Sequence, residues 1–174
     1  FHPKFGSLTT GSGFAYGLGF RDRDLFSNKG ALEVWAAGSI KRYWATEARL
    51  TFPRLANNHL YLETWGSHRD YPQENFFGLG PDSNRDDRSD YAIKTNHFGG
   101  RAGVRPFEHL LVGGGMEYLE PRLGAGQNDQ FPDVPKVFPP SEVPGVNSRS
   151  DFVRSQAFLE VDYRESRYPK KGGW

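Results

Sequence analysis

Large apolar side chains take every second position from Phe14 to Phe20, as Phe14, Tyr16, Leu18 and Phe20. The positions between them are Gly13, Ala15, Gly17 and Gly19, followed by Arg21. Such alternation marks a strand with two unlike faces. A half-buried soluble strand makes its second face polar. Here that face is nearly empty. Glycine weakens a strand, so a row of small residues needs a cause such as curvature or close backbone approach.

The same period of two recurs along the chain, and helical periodicity is nowhere sustained. Leu32, Val34, Ala36 and Ile40 alternate with Glu33, Trp35, Ser39 and Lys41. Trp44, Thr46, Ala48, Leu50 and Phe52 alternate with Glu47, Arg49 and Thr51, and Leu60, Leu62 and Thr64 with Tyr61, Glu63 and Trp65. Phe98, Ala102 and Val104 stand against Arg101 and Arg105, and Leu110, Val112, Met116 and Tyr118 against Glu117. Val153, Ala157, Leu159, Val161 and Tyr163 stand against Arg154, Gln156, Glu160, Asp162 and Arg164. The pattern predicts an all-β fold of about eight strands, near 4–9, 13–24, 30–40, 43–53, 59–68, 90–106, 109–120 and 151–166.

Nearly every charge within these strands falls on one parity. Charges facing bulk water on a soluble β-sandwich and charges facing the lumen of a membrane barrel both satisfy that pattern. Loop length separates the two. The connections at 25–30, 53–58, 106–109 and 168–173 are short. The long ones, 69–89 and 121–150, both fall in the alternate set, which an antiparallel up-and-down meander brings to one end. Short turns at one end and long polar loops at the other is the asymmetry of transmembrane β-barrels. This arrangement requires residues 90–106 to form one long strand, with no turn at Asn96–His97. It also predicts that Leu32, Val34, Leu50, Leu62, Val104, Val112, Leu159 and Val161 face outward to lipid. Glu33, Glu47, Arg49, Glu63, Arg101, Arg105 and Glu117 then form an inward ion-pair lattice.

Composition agrees with this picture. The 174 residues suffice for one domain, and the formal charge of +1 gives no basic surface for nucleic acid. Cysteine is absent, while glycine (21) and aromatic residues (15%) are abundant. Mean hydropathy is −0.69, and no apolar run reaches the roughly 18 residues of a membrane helix. Membrane strands escape such averages, because only half of their residues are apolar. Both ends, "FHPKFGSL" and "RYPKKGGW", read as continuing into a longer protein.

Three segments carry a family resemblance. "GLGFRDRDLFSNKG" resembles the early strand and turn of the bacterial surface antigen family, the BamA/TamA-type outer-membrane assembly barrels. "NFFGLGPDSNRDDRSDY" is similar to the aromatic-Gly-hydrophobic-Gly segment before an extracellular loop of that family, and "YRESRYPKKGGW" to its strand ending in an Arg-x-x-x-Pro-x-x-Gly turn. The resemblance implies a sixteen-stranded barrel preceded by periplasmic POTRA repeats, of which this chain, 1–174, supplies about the first eight strands. It implies a location in the bacterial outer membrane and contact with outer-membrane lipid. It further implies insertion or translocation of proteins or lipids, with protein clients or periplasmic partners reached through the N-terminal repeats. The family's lumenal Val/Ile-Arg-Gly-Phe loop lies outside these residues. The lateral seam of such barrels would fall beside "FHPKFGSLTTG", where Pro3 weakens pairing.

Candidate chemistry is sparse. Asp82, Asn84 and Asp86 mimic the start of a calcium loop, but Asp87 stands where glycine is needed and Ile93 where glutamate is needed. The Gly-Leu-Gly and Gly-Gly-Gly runs precede neither Lys-Ser/Thr nor a helix, so they predict sheet curvature. The five histidines (His2, His59, His68, His97, His109) form no ligand pair at helical spacing. No catalytic, cofactor-binding or metal-binding residue is therefore assigned. Three alternatives stay open: a soluble sandwich using Trp35, Trp44 and Trp65 as contacts, a barrel hydrolase using Ser89, His97 and Asp90 at its rim, and a complete eight-stranded barrel closed at Trp174.

Overall fold

The computed structural model describes residues 1–163 except 82, 129, 140, 144, 147 and 148. Eight strands follow one another in sequential order, each antiparallel to the next. They are β1 (His2–Gly6), β2 (Ala15–Asp24), β3 (Gly30–Ser39), β4 (Trp44–Leu55), β5 (Leu60–Phe76), β6 (Ser89–Phe107), β7 (Leu110–Ala125) and β8 (Phe152–Val161). They form one sheet, with no second sheet packed on it among the described residues, which is not the architecture of a sandwich. Within those residues β1 pairs only with β2 and β8 only with β7, so the sheet is open at both edges. Closure of eight strands on themselves is thus not seen. Trp174 and the 168–173 turn lie outside the described residues.

The strand at 90–106 is indeed continuous, as Ser89–Phe107. Its length corrects its neighbours. A strand that long leaves backbone donors and acceptors unmet unless its partners rise with it. Accordingly β5 runs to Phe76 rather than 68, and β7 to Ala125 rather than 120. The polar segment "HRDYPQENF" hides this extension, because it lacks alternation and contains Pro72. A bulge between Tyr71 and Glu74 accommodates the proline. The loop expected at 69–89 shrinks to 77–88. At the other extreme β1 is earlier and shorter than 4–9. It stops at Gly6 (φ 151), where the chain turns into a loop tied by Leu8 and Thr9 N–H groups donating to Ser12 Oγ at 3.1 and 3.3 Å. β8 ends at Val161 rather than 166, and residues 164–166 are outside the described set.

Short turns close one end of the sheet. Phe26 and Ser27 (φ 54 and 60), and Ala56, Asn57 and Asn58 (φ 48, 54 and 73), adopt left-handed backbone. Left-handed turn residues suit the right-handed twist of the flanking strands. Both long connections, 77–88 and 126–151, sit at the opposite end and pack on one another. Phe138 meets Phe76 with ring centroids 5.1 Å apart, Arg88 lies 3.8 Å over the Phe131 ring, and Asp90 N donates to Pro132 O at 3.0 Å.

Register fixes the faces. Leu32 pairs with Leu50, Phe52 with Leu62, Val104 with Val112, and Val112 with Leu159. All eight predicted outward residues share this side, and Leu159 is 67% exposed. On the other side Glu63 and Glu117 are only 4% and 8% exposed. That side is concave. A Cβ on Gly99 falls 2.7 Å from the Glu117 Cβ, and one on Gly103 falls 2.9 Å from Leu111 Cδ1. On the convex side, a Cβ on Gly66 meets nothing closer than 4.0 Å. The small residues of Ala15, Gly17 and Gly19 follow the same rule: curvature crowds the inner face, so that face is kept small.

Candidate functional site

The concave face carries two charged centres. In the first, β5 presents Glu63 between β4 and β6. Arg49 Nη1 donates to Glu63 Oε1 at 2.6 Å, Tyr61 Oη donates to Oε2 at 2.7 Å, and Arg101 Nε donates to the same oxygen. Arg101 Nη2 also donates to Tyr61 Oη at 2.9 Å, so the cluster is closed on itself. In the second, β7 presents Glu117 to His97 Nε2 at 2.7 Å and to Arg154 of β8. Arg21 and Glu33 pair at 2.5 Å nearer the short turns. Arg105 departs from the expected lattice and donates to the Pro53 carbonyl at 2.7 Å.

The convex face changes character along the strands. Its apolar band runs from the short turns up to Phe98 and Tyr118, and Trp44 stands higher, opposite Asp70. Phe98 and Tyr118 sit 5.1 Å apart, and Trp44 lies 4.6 Å from the His68 ring. Directly above the band comes a polar row. His68 Nδ1 is 2.6 Å from Asn96 Oδ1, Asn96 Nδ2 donates to Glu120 Oε2 at 2.8 Å, and Lys94 pairs with Asp70 at 2.8 Å. Arg122 and Tyr118 both bind Asp151, each at 2.7 Å. The Arg122 guanidinium, with the Tyr118 hydroxyl, holds the Asp151 carboxyl below the usual carboxylate range.

Above the band, the concave side collects Tyr43, Tyr71, Glu74 and Tyr91. Tyr43 and Tyr71 rings are 5.4 Å apart, and Tyr43 Oη donates to the Gln73 carbonyl. Burial, reinforced by Glu74 and Asp90, pushes the Tyr43 phenol up to about 12. Burial also raises the Glu74 carboxyl, whose Oε1 is buried without a hydrogen-bond partner among the described residues.

The three rim residues do not meet. Ser89 and His97 lie on one strand eight positions apart, about 26 Å at about 3.3 Å per residue. Ser89 is fully buried and donates to the Phe76 carbonyl at 3.3 Å, and His97 is engaged with Glu117. Asp90 accepts the Asn128 N–H at 3.0 Å beneath the long loop. Nor do the tryptophans share a surface, since Trp35 and Trp65 are concave and Trp44 convex. Asp82 lies outside the described residues. Asn84 caps a turn by accepting the Asp86 N–H at 3.1 Å, and no His/Asp/Glu group suited to a metal occurs among the described residues.

One inward residue carries no signal in the alternation. Phe158 shares the parity of Arg154 and Glu160, and its ring lies over Gly113 and Gly103. It reaches within 6.5 Å of the Tyr61 ring. The detectable clue is its register partner, Gly113: an aromatic ring opposite a glycine covers backbone that the glycine leaves bare. No family model, no curated protein and no solved structure matches the chain, and its functional reading rests on the two faces of this sheet.

Proposed function

We propose that the chain forms part of the wall of a bacterial outer-membrane β-barrel of the surface antigen, BamA/TamA-like type, acting in insertion or translocation of proteins or lipids. The observation that carries this reading is the inversion of the sheet's faces. Along the apolar band, carboxylates and guanidiniums gather on the concave side, while leucine, valine and aromatic side chains are left bare on the convex side. An exposed apolar surface of that extent marks a membrane or partner contact. The segments Trp44–Phe52 and Leu110–Tyr118 match the roughly 9–11 residues of a tilted membrane strand. Phe98 and Tyr118 at the top of the apolar band, with Trp44 beside the polar row above them, correspond to an interfacial girdle.

The assembly role rests on the three resembling segments and on the open edges, which call for further strands. Lipid quenching tests the membrane placement. In single-tryptophan variants refolded into liposomes together with strands that complete the wall, brominated acyl chains should quench Trp44 and spare Trp35 and Trp65. Quenching of Trp35 and Trp65 with Trp44 spared would invert the faces and refute the proposal.

A further inference from the structure

One cross-sheet row on the concave face differs from the charged centres below it. Lys4 pairs in register with Gly17, Gly17 with Ala37, Ala37 with Ala45, and Ala45 with Arg69. Five adjacent strands thus present a cation, three minimal side chains and a second cation at one level. The row is kept small: a Cβ on Gly17 would fall 2.6 Å from that of Ala37, Ala45 is fully buried beneath the surface, and Ala15 and Ala37 are the small side chains that line the space above it. Trp35 stands on the level below and Tyr71 on the level above. The result is a trough of about 590 Å³ whose lining includes Lys4, Ala15, Trp35, Ala37, Arg69 and Tyr71.

The charge at this level is unbalanced. Arg21, Arg49, Arg101 and Arg154 each pair with an inner-face carboxylate. Lys4 and Arg69 belong to no ion pair among the described residues, and no carboxylate lines the trough. The Lys4 ammonium is instead held 3.9 Å over the Trp35 ring. Such contact orients the cation without neutralising it.

We propose that this trough binds an extended acidic peptide segment. Four strand spacings of about 4.8 Å put the Lys4 and Arg69 backbones about 19 Å apart along the sheet. The Lys4 ammonium, reaching over Trp35 of β3, shortens the span between the two charges, so about six extended residues reach both. The small side chains of Ala15 and Ala37 leave room for a peptide backbone to lie close to the sheet. The Arg69 guanidinium offers a two-pronged donor for one carboxylate, and Lys4 a point charge for another. Trp35 and Tyr71 flank the apolar side chains between them. The trough belongs to the concave face whether or not the convex face meets lipid, so its test is independent of the membrane proposal.

The experiment is fluorescence anisotropy on the full chain in detergent, with sheet content of every variant checked by circular dichroism. The probes are labelled Glu-Ala-Glu-Ala-Glu-Ala and its Gln-Ala counterpart. The glutamate peptide should bind about tenfold tighter, and Arg69→Gln or Lys4→Gln should each cost about that factor, as for a lost charge-assisted contact. Arg69→Glu should turn the preference toward a Lys-Ala peptide, whereas convex Lys94→Gln should change nothing. Equal binding of both probes, or indifference to the Arg69 and Lys4 substitutions, overturns the proposal. So does displacement by inorganic pyrophosphate at the peptide's own concentration, which would make the occupant a small oxyanion.

Discussion

Placing this chain alone in a bilayer exposes the consequence of its open edges. β8 spans ten residues, Phe152–Val161. Alternate residues of an antiparallel strand direct both backbone groups to one side, so about five donors and five acceptors face the open edge of β8. β1 adds fewer, because it has five residues and Pro3 lacks an N–H. In hydrocarbon each unmet group costs several kcal/mol. Even at about 2 kcal/mol apiece, β8 alone carries about 20 kcal/mol, above the roughly 5–15 kcal/mol that stabilises a typical domain. The isolated chain should therefore aggregate, or remain unfolded, when transferred from denaturant into liposomes. Strands that complete the wall, supplied in trans from a downstream segment, should restore a protease-resistant form. The assay is gel mobility with and without boiling, since closed barrels migrate differently before heat denaturation. A monomeric, heat-modifiable band from these 174 residues alone would show eight strands closing on themselves, and the partial-wall argument would fail.

Three further outcomes follow from individual residues. Glu63→Leu removes the acceptor of three donors and should destabilise the sheet by about 2–4 kcal/mol in urea titrations, with Glu63→Gln losing less. The cost stays below that of a fully buried pair, because the Arg49 and Arg101 side chains remain 41% and 39% exposed. Gly99→Ala drives a Cβ against Glu117 and should cost about 1–3 kcal/mol, while Gly124→Ala, with nothing within 4 Å, should be neutral. Glu74 has a raised folded pKa, so its contribution is most favourable below the ordinary carboxyl value of about 4.3 and is lost as pH rises through the folded value. Glu74→Gln should accordingly raise the melting temperature at pH 8, with the advantage fading as pH approaches about 4; a gain that persists undiminished at low pH would contradict the assigned cause.

Much of the fold is legible in the alternation because both faces are chemically marked. In the Leu32–Leu50 and Glu33–Arg49 pairs, one register places apolar and charged residues on opposite sides. A slip by one position would exchange them. The long strand β6 follows from loop asymmetry alone. Legibility fails above the apolar band, where His68, Asp70, Lys94, Asn96 and Glu120 put polar groups on the convex side and parity carries no information. The upward extensions of β5 and β7 are dictated by pairing with β6, not by their own side chains. The concave trough is hidden for a different reason. Lys4, Gly17, Ala37, Ala45 and Arg69 lie far apart in sequence, and only the register brings them to one level.

The ion pairs inside the sheet are better understood as a specification of register than as a source of stability. Taking charges from water offsets most of what their attraction returns, so such pairs add little net free energy against an apolar replacement. Shifting β5 by one residue against β6, however, would turn Glu63 to the convex side and leave Arg101 without its acceptor. That alternative is penalised heavily, while the observed pairing is roughly neutral. The constraint is distributed unevenly. Glu63 and Glu117 tie β4 through β8 together by side-chain bonds in addition to backbone pairing. β1 is held to β2 by five register pairs, one of them through Pro3, and no salt bridge joins these two strands among the described residues. Its inward cation, Lys4, leans instead on Trp35 of β3. A ligand that binds Lys4 and Arg69 together would supply the cross-sheet tie that this edge lacks, coupling occupancy of the trough to retention of β1.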